Sequence, residues 1–141
     1  MPRPADLRRY RAHNLVAWQP QGVLDDQLLD EIGEWLCHIE KALVPFNRFV
    51  DFSRLTSVAV RTKHVFAFAR KRAEQYAGLT PVKSALFSED WICFGIALLY
   101  ENLMKGTPID ARAFRDRATA AIWLDVPAEI LKLEDNPAPP H

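Results

Sequence analysis

The stretch NRFVDFSRLTSVAVR, from Asn47 to Arg61, predicts more of the fold than any other segment. Phe49 and Val50 indicate a buried strand that ends at Asp51, and a loop then leads to the cationic start of a helix at Arg61. In an α/β sheet, ligands gather where the carboxyl end of a strand meets the next helix N-terminus. Backbone N–H groups point outward there, and the helix dipole favours an anion. The segment therefore indicates where a functional site would lie.

Strand and helix patterns alternate on both sides of this stretch. His13 and Asn14 separate two short runs, and Asn tolerates the positive φ of a tight turn, so an opening hairpin is expected. Asp25 or Asp26 is expected to cap the first helix, which Pro45 stops. The predicted order is a hairpin over 7–12 and 15–18, a helix over 28–43, a strand over 46–52, a helix closed by Gly78, a strand over 81–87, a helix over 91–104, a strand over 109–114 and a helix over 115–124.

This order predicts a fold class. Strands that alternate with helices form right-handed crossovers, which give a mostly parallel sheet, here with one antiparallel strand from the hairpin and about four helices. Ser88 is expected to cap the third helix and Thr62 the second, since hydroxyls accept hydrogen bonds from free helix N–H groups. The third helix is apolar over most of its circumference, so we expect it to be buried on two sides.

Length and charge restrict the function classes. A chain of 141 residues fits one α/β domain over 1–127, followed by a flexible Pro-rich tail over 128–141. Eighteen basic residues balance eighteen acidic ones, so we expect no nucleic-acid partner, and no apolar run is long enough for stable membrane insertion. The N-terminus lacks the apolar stretch of a signal peptide, and Cys37 and Cys93 suit a packed core. A cytoplasmic location is therefore expected.

Three pieces of the sequence resemble the STAS domains, specifically the SpoIIAA-like group that borders on the CRAL-TRIO lipid-carrier architecture. The first is Gly22-Val23-Leu24 before an acidic helix start. The second runs from Phe49 to Ser53 and is similar to the Asp-Leu-Ser that ends the central STAS strand. The third is the C-terminal half, with Ser84-Ala85-Leu86-Phe87, Phe94-Gly95, Tyr100-Glu101, Ala113-Phe114-Arg115-Asp116 and Ala120-Ala121-Ile122-Trp123-Leu124.

The resemblance implies a regulatory protein similar to anti-sigma factor antagonists, which acts by binding and has no catalytic residues. In that family, a serine at the start of the helix after the central strand is phosphorylated. The corresponding Asp-Ser-Ser-Gly motif would fall near residues 59–62, where this chain has Ala-Val-Arg-Thr. The usual phosphorylatable serine is therefore missing, and the kinase-regulated mechanism is not carried over to this chain.

The strand-end loop from Ser53 to His64 and the adjoining helix are the predicted contact surface for a protein partner. A homodimer is also expected, because surplus aromatic side chains of the second and third helices and the apolar third helix would form a dimer face. No cofactor and no metal ligand is assigned, because the row of Asp30, Glu34 and His38 is more typical of a solvated helix face. The predicted binding residues are Asp51, Ser53, Thr56, Ser57, Arg61, Thr62, Lys63 and His64.

Two alternatives remain open. The many aromatic side chains, with the CRAL-TRIO likeness, would suit a carrier of a lipid or another apolar small ligand. An enzyme that uses Asp51 and His64 is the third hypothesis. The simpler expectation for Asp51 is that it accepts hydrogen bonds from its own loop, and for His64 that it lies on the surface.

Overall fold

Strands and helices alternate through residues 6–135, which are the residues that the computed structural model describes. The strands are β1 (Arg8–Tyr10), β2 (Leu15–Trp18), β3 (Gly22–Leu24), β4 (Asn47–Asp51), β5 (Leu55–Val58), β6 (Val82–Phe87) and β7 (Ile109–Phe114). The helices are α1 (Asp26–Ala42), α2 (Thr62–Gln75), α3 (Trp91–Leu103) and α4 (Arg117–Leu124).

The main sheet has five strands in the order β1-β2-β4-β6-β7. The β1 strand is antiparallel to β2, and every other pair is parallel. Each crossover from β2 to β7 therefore advances in the same direction along the sheet. This confirms the predicted α/β class, the mostly parallel sheet and the antiparallel hairpin strand.

The sheet is covered on both faces. Val16 and Trp18 of β2 pack with residues of α1 and α3, including Trp35 and Ala97. The alternate β2 residues Leu15 and Ala17 pack on the opposite face, in a cluster with α4 and the segment that follows it. Side chains of a strand alternate between faces, so β2 is buried along its whole length because both faces carry helices.

Local sequence explains the ends and contacts of several elements. Asn14 adopts the left-handed conformation with φ of 50°, which turns the chain between β1 and β2 as predicted. The Asp25 carboxylate accepts from the Leu28 backbone N–H at 2.8 Å and caps α1. At Gly33 of α1, an added Cβ would lie 2.7 Å from the Phe68 ring of α2, so glycine permits the close approach of these helices.

The predicted loop after β4 contains a strand that the sequence pattern did not indicate. Residues Leu55–Val58 form β5, which pairs in parallel with β3 in a separate two-stranded sheet. The sequence does not indicate this strand because its apolar and polar residues do not alternate. Leu55 and Val58 at its ends are half-buried, whereas Thr56 and Ser57 between them are exposed. A four-residue strand without period-two patterning resembles a loop in sequence.

Both predicted hydroxyl caps are wrong. The N-cap of α3 is Asp90, whose carboxylate accepts from the Cys93 N–H at 2.9 Å. Ser88 lies two residues earlier and accepts from the Asp90 N–H at 3.2 Å. The N-cap of α2 is Arg61, with no side-chain cap, and Thr62 is exposed as the first helical residue.

Helix α3 packs against the sheet and against α2, while its outer face is exposed within the described chain, so the expected burial over most of its circumference is wrong for that outer face. Cys93 and Ala97 face the interior, while Trp91 and Ile92 are 71% and 69% exposed. Cys37, expected in the core, is half-buried. Among residues 6–135, no helix combines the length and apolar character needed to cross a bilayer.

The packed part of the chain extends beyond the predicted boundary at residue 127. Ala128–Leu131 forms a short helical turn, and Leu131 and Leu133 are both 0% exposed. They belong to the same core cluster as Phe49 and Leu124. The prediction of a flexible tail from residue 128 is therefore wrong as far as Leu133, because two leucines complete the cover of the sheet. The tail prediction for residues 136–141 lies outside the described residues.

Candidate functional site

A crevice of about 450 Å³ opens at the carboxyl ends of β4 and β6. One wall is formed by Ser53 and the four residues of β5, which include the exposed hydroxyls of Thr56 and Ser57. The other wall is the turn from Ser88 to Asp90 and the first residues of α3, Ile92 and Cys93. Three of the predicted site residues thus meet in one depression at the edge of the sheet where parallel α/β proteins bind ligands.

The predicted residue Asp51 lies at the end of β4 and is 0% exposed. Its Oδ1 accepts from the Ser53 backbone N–H at 2.9 Å. Its Oδ2 accepts from the Gln19 side-chain amide at 3.0 Å and from the Arg117 guanidinium at 2.9 Å. Both carboxylate oxygens are therefore engaged, as expected for a residue that organises its own loop. Asp51 ties β4 to the end of β2 and the start of α4.

The turn that precedes α3 is held by Arg115. Its guanidinium donates to the backbone oxygens of Ser88 and Glu89 and lies 3.7 Å from the centre of the Trp91 ring. The Asp90 carboxylate caps α3. Within the described residues, no hydrogen bond or ion pair engages the Glu89 carboxylate, which is exposed at the crevice. This wall therefore presents a free negative charge beside the apolar side chain of Ile92.

Cys93 contributes a thiol to the lining of the crevice. It is 3% exposed, and burial raises the pKa of its thiol above the ordinary value. A buried thiol with a raised pKa carries little thiolate at neutral pH and reacts slowly. The residue is placed to pack beneath the crevice, which agrees with its prediction as a core cysteine.

The other predicted residues form a separate cluster at the N-termini of α1 and α2. Asp26 accepts from the Arg61 backbone N–H at 2.9 Å and from its side chain at 2.5 Å. The pKa of the Asp26 carboxyl is lowered, mainly because the carboxylate accepts the hydrogen bond from the Arg61 backbone N–H. His64 pairs with Asp30 at 2.8 Å. This cluster joins the two helices across the surface.

The structure does not bring the two groups together. Within residues 6–135, no hydrogen bond or ion pair joins Asp51 to the start of α2. Thr62 and Lys63 are exposed. The His64 ring lies 3.8 Å from the Asp26 carboxylate and 2.8 Å from that of Asp30. Asp51 and His64 therefore do not form a catalytic pair in this arrangement.

Several residues of the site were missed at the level of sequence. Gln19 and Arg117 hold Asp51, and Glu89, Asp90 and Ile92 build the far wall of the crevice. The position of the turn after β6 in the sequence could have indicated these far-wall residues. This turn follows a central strand, just as the loop after Asp51 does, and both lie at the same edge of the sheet because β4 and β6 are parallel. Within the described part of the chain, no three His, Cys, Asp or Glu side chains are grouped as metal ligands.

Comparison with known proteins adds no further assignment. No protein-family model, no curated protein and no solved structure matches this chain.

Proposed function

We propose that this protein is a non-enzymatic, STAS-like binding module that contacts a protein partner through the crevice between β5 and α3. The observation that carries the proposal is the composition of the crevice walls. Exposed Thr56 and Ser57 line one wall, and the other wall includes the apolar residue Ile92 and the Glu89 carboxylate, which has no hydrogen-bond or ion-pair partner among residues 6–135. Polar side chains around an exposed apolar anchor are typical of protein contact surfaces.

The arrangement of the titratable groups supports a binding role over catalysis. A general base must reach a substrate proton, and the Asp51 carboxylate is fully enclosed with both oxygens already bonded. His64 belongs to a different cluster, where it links α1 and α2 through Asp30. The remaining candidate, Cys93, is packed beneath the crevice.

The carrier hypothesis receives less support. An apolar cavity lies between the sheet and the helices, with Trp18, Phe68 and Tyr100 in its walls. Its volume is about 70 Å³. Pockets for drug-sized ligands measure roughly 300–1,000 Å³, so a lipid would need the helices to separate. Native mass spectrometry of the freshly purified protein tests this alternative: a mass without ligand disfavours the carrier, and a bound lipid mass favours it over the adaptor.

The outer face of α3 is the surface that we propose for a second copy of the chain. Trp91, Gly95 and Leu98 follow one another at helical spacing, and all three are exposed. The one charged residue of α3, Glu101, accepts from the Ala113 backbone N–H at 2.9 Å. An added Cβ at Gly95 would meet nothing within 4 Å, so a partner helix has room to approach. Apart from the Arg115 guanidinium on the Trp91 ring, no charged side chain of α3 interrupts this exposed face, which suits an isologous dimer.

Photo-cross-linking in the cells that make the protein tests the partner proposal. A benzophenone amino acid at Ser57 places the reactive group in the crevice. The same group at Ala118 serves as a control, because Ala118 is exposed on α4, on the other face of the sheet and away from the proposed dimer face. The proposal predicts a discrete protein adduct from position 57 and none from position 118. No adduct at 57, or the same adduct from both positions, would contradict it.

Sedimentation velocity tests the dimer. We expect wild-type protein to sediment as a dimer and Leu98→Glu as a monomer, because the substitution places a charge on the apolar face of α3. Ile122→Glu is the matched control, since Ile122 is 81% exposed on α4, which packs on the other face of the sheet. A wild-type monomer, or dissociation by both variants, would refute the proposed dimer face.

A further inference from the structure

One edge of β5 has no strand beside it in the described chain. The β5 strand pairs with β3 in a two-stranded sheet, so its second edge is unpaired. All four of its residues, Leu55 to Val58, line the crevice, whereas no residue of β3 does. A sheet face would present alternate residues only, so the crevice lies along the edge of β5 rather than over its face.

An unpaired strand edge exposes backbone N–H and C=O groups that can form hydrogen bonds with another strand. The depression that faces this edge has a volume of about 450 Å³, and its far wall begins at Ser88 and ends at Cys93. The β5 strand spans roughly 13 Å at about 3.3 Å per residue. The geometry is a slot with a strand edge on one side and a turn and helix start on the other. Such a slot accepts an extended segment that pairs with the strand.

The far wall of the crevice favours a positively charged ligand. The carboxylates of Glu89 and Asp90 both lie at the crevice, and that of Glu89 has no partner in the described chain. Arg115 contacts this turn through backbone oxygens and the Trp91 ring, so it does not neutralise Glu89 directly. A cationic side chain would find a free carboxylate here, while an anionic ligand would meet repulsion.

We infer that the partner contributes an extended peptide segment that adds to the free edge of β5, with a Lys or Arg side chain paired with Glu89 and an apolar side chain against Ile92. This inference rests on the proposed binding function and names the chemistry of its ligand. Main-chain hydrogen bonds to β5 supply affinity, and the contacts with Glu89 and Ile92 supply selectivity.

Fluorescence anisotropy with the full chain and synthetic peptides tests the inference. The probe is a labelled peptide of sequence Thr-Val-Lys-Val-Arg-Val-Thr, which alternates apolar and cationic side chains. One comparison peptide replaces Lys and Arg by Glu, and another carries N-methyl groups on every internal backbone amide, so that neither of its edges can donate hydrogen bonds to β5. We expect each comparison peptide to bind about tenfold more weakly, because one loses the charge pairing and the other loses main-chain hydrogen bonds.

A charge reversal in the protein provides the second measurement. Glu89→Lys is expected to weaken binding of the cationic probe at least about fivefold. Asp110→Lys is the matched control, because Asp110 is exposed on β7 at the opposite end of the sheet, and affinity should stay within about twofold. Circular dichroism checks that both variants fold.

The outcomes separate this inference from the function on which it depends. Equal binding of the N-methylated and unmodified peptides would overturn strand addition, and equal effects of Glu89→Lys and Asp110→Lys would overturn the charge pairing. No binding of any probe, with the cross-link at Ser57 retained, would overturn the peptide mode and leave the protein-binding function standing. Absence of any protein cross-link from position 57 would refute both the peptide mode and the protein-binding function.

Discussion

Replacing Glu40 by Gln is the most severe test of how this fold is held together. Glu40 of α1 lies between two guanidinium groups, Arg48 of β4 and Arg72 of α2. Their side chains are 4%, 1% and 1% exposed, respectively. Arg72 donates to both carboxylate oxygens, at 3.0 and 2.6 Å, and Arg48 donates to one of them. One carboxylate therefore compensates two buried cations and ties together three elements.

The expected loss of stability follows from the presence of two buried cations and one buried anion. Glu40→Gln preserves the shape but leaves two buried guanidinium ions without a counter-ion, and the loss of a buried partner costs about 3–5 kcal/mol. This is a large share of the roughly 5–15 kcal/mol by which domains are stable. Arg72→Met leaves Glu40 paired with Arg48, so its loss should be at least about 1 kcal/mol smaller.

Urea unfolding measures these differences, with the fluorescence of the buried residues Trp18 and Trp35 as the signal. At an m-value of about 1.5 kcal/mol/M, Glu40→Gln should lower the midpoint by about 2–3 M. The control is Asp110→Asn, which removes an exposed pair at 3.9 Å and should cost less than about 1 kcal/mol. A loss below about 1 kcal/mol for Glu40→Gln, or a larger loss for Arg72→Met, would show that the Glu40 carboxylate does not compensate both guanidinium ions.

Three further predictions follow from burial and capping. Leu131→Ala should lower the free energy of unfolding by about 2–4 kcal/mol, because Leu131 is fully buried against the sheet; a change under about 0.5 kcal/mol in urea unfolding would restore the tail boundary at residue 127. Iodoacetamide should modify Cys37 faster than Cys93, because Cys93 is buried and its pKa is raised; mass spectrometry of the native protein that finds the reverse order would contradict this. The Thr119 backbone N–H lowers the pKa of Asp116 below its ordinary 3.8, so the stability from this cap is present above that value and is lost as the pH falls through the lower folded value. Asp116→Asn keeps the cap, so its unfolding free energy should fall less than that of wild type between about pH 5 and about pH 2.5, and an equal fall would contradict the assignment.

Local signals carried most of the fold prediction. Asn14 at the hairpin turn, the acidic cap at Asp25 and the helical spacing of apolar residues in α1 each reflect contacts within a few residues. Such patterns are readable because backbone conformation and amphipathicity are local properties. The order of strands then follows from the alternation of elements, since right-handed crossovers leave few alternatives.

The parts that could not be predicted depend on contacts between distant residues. Asp51 meets Arg117 across 66 residues of sequence, and β5 becomes a strand only because β3 lies beside it. Leu131 and Leu133 follow a proline and resemble a tail until the opposite face of the sheet is in place. Ser53, Thr56 and Ser57 lie at the predicted sheet edge and line the crevice, while its far wall comes from another turn.

The proposed contact surface lies at the carboxyl edge of the sheet, between β5 and α3. Amide hydrogen exchange of the full chain, measured alone and in complex with the protein that is cross-linked from Ser57, locates the contact surface. We expect slower exchange in the complex for Leu55–Val58 and for the turn from Ser88 to Cys93. Protection confined to the start of α2 or to α4, with β5 unchanged, would contradict this location.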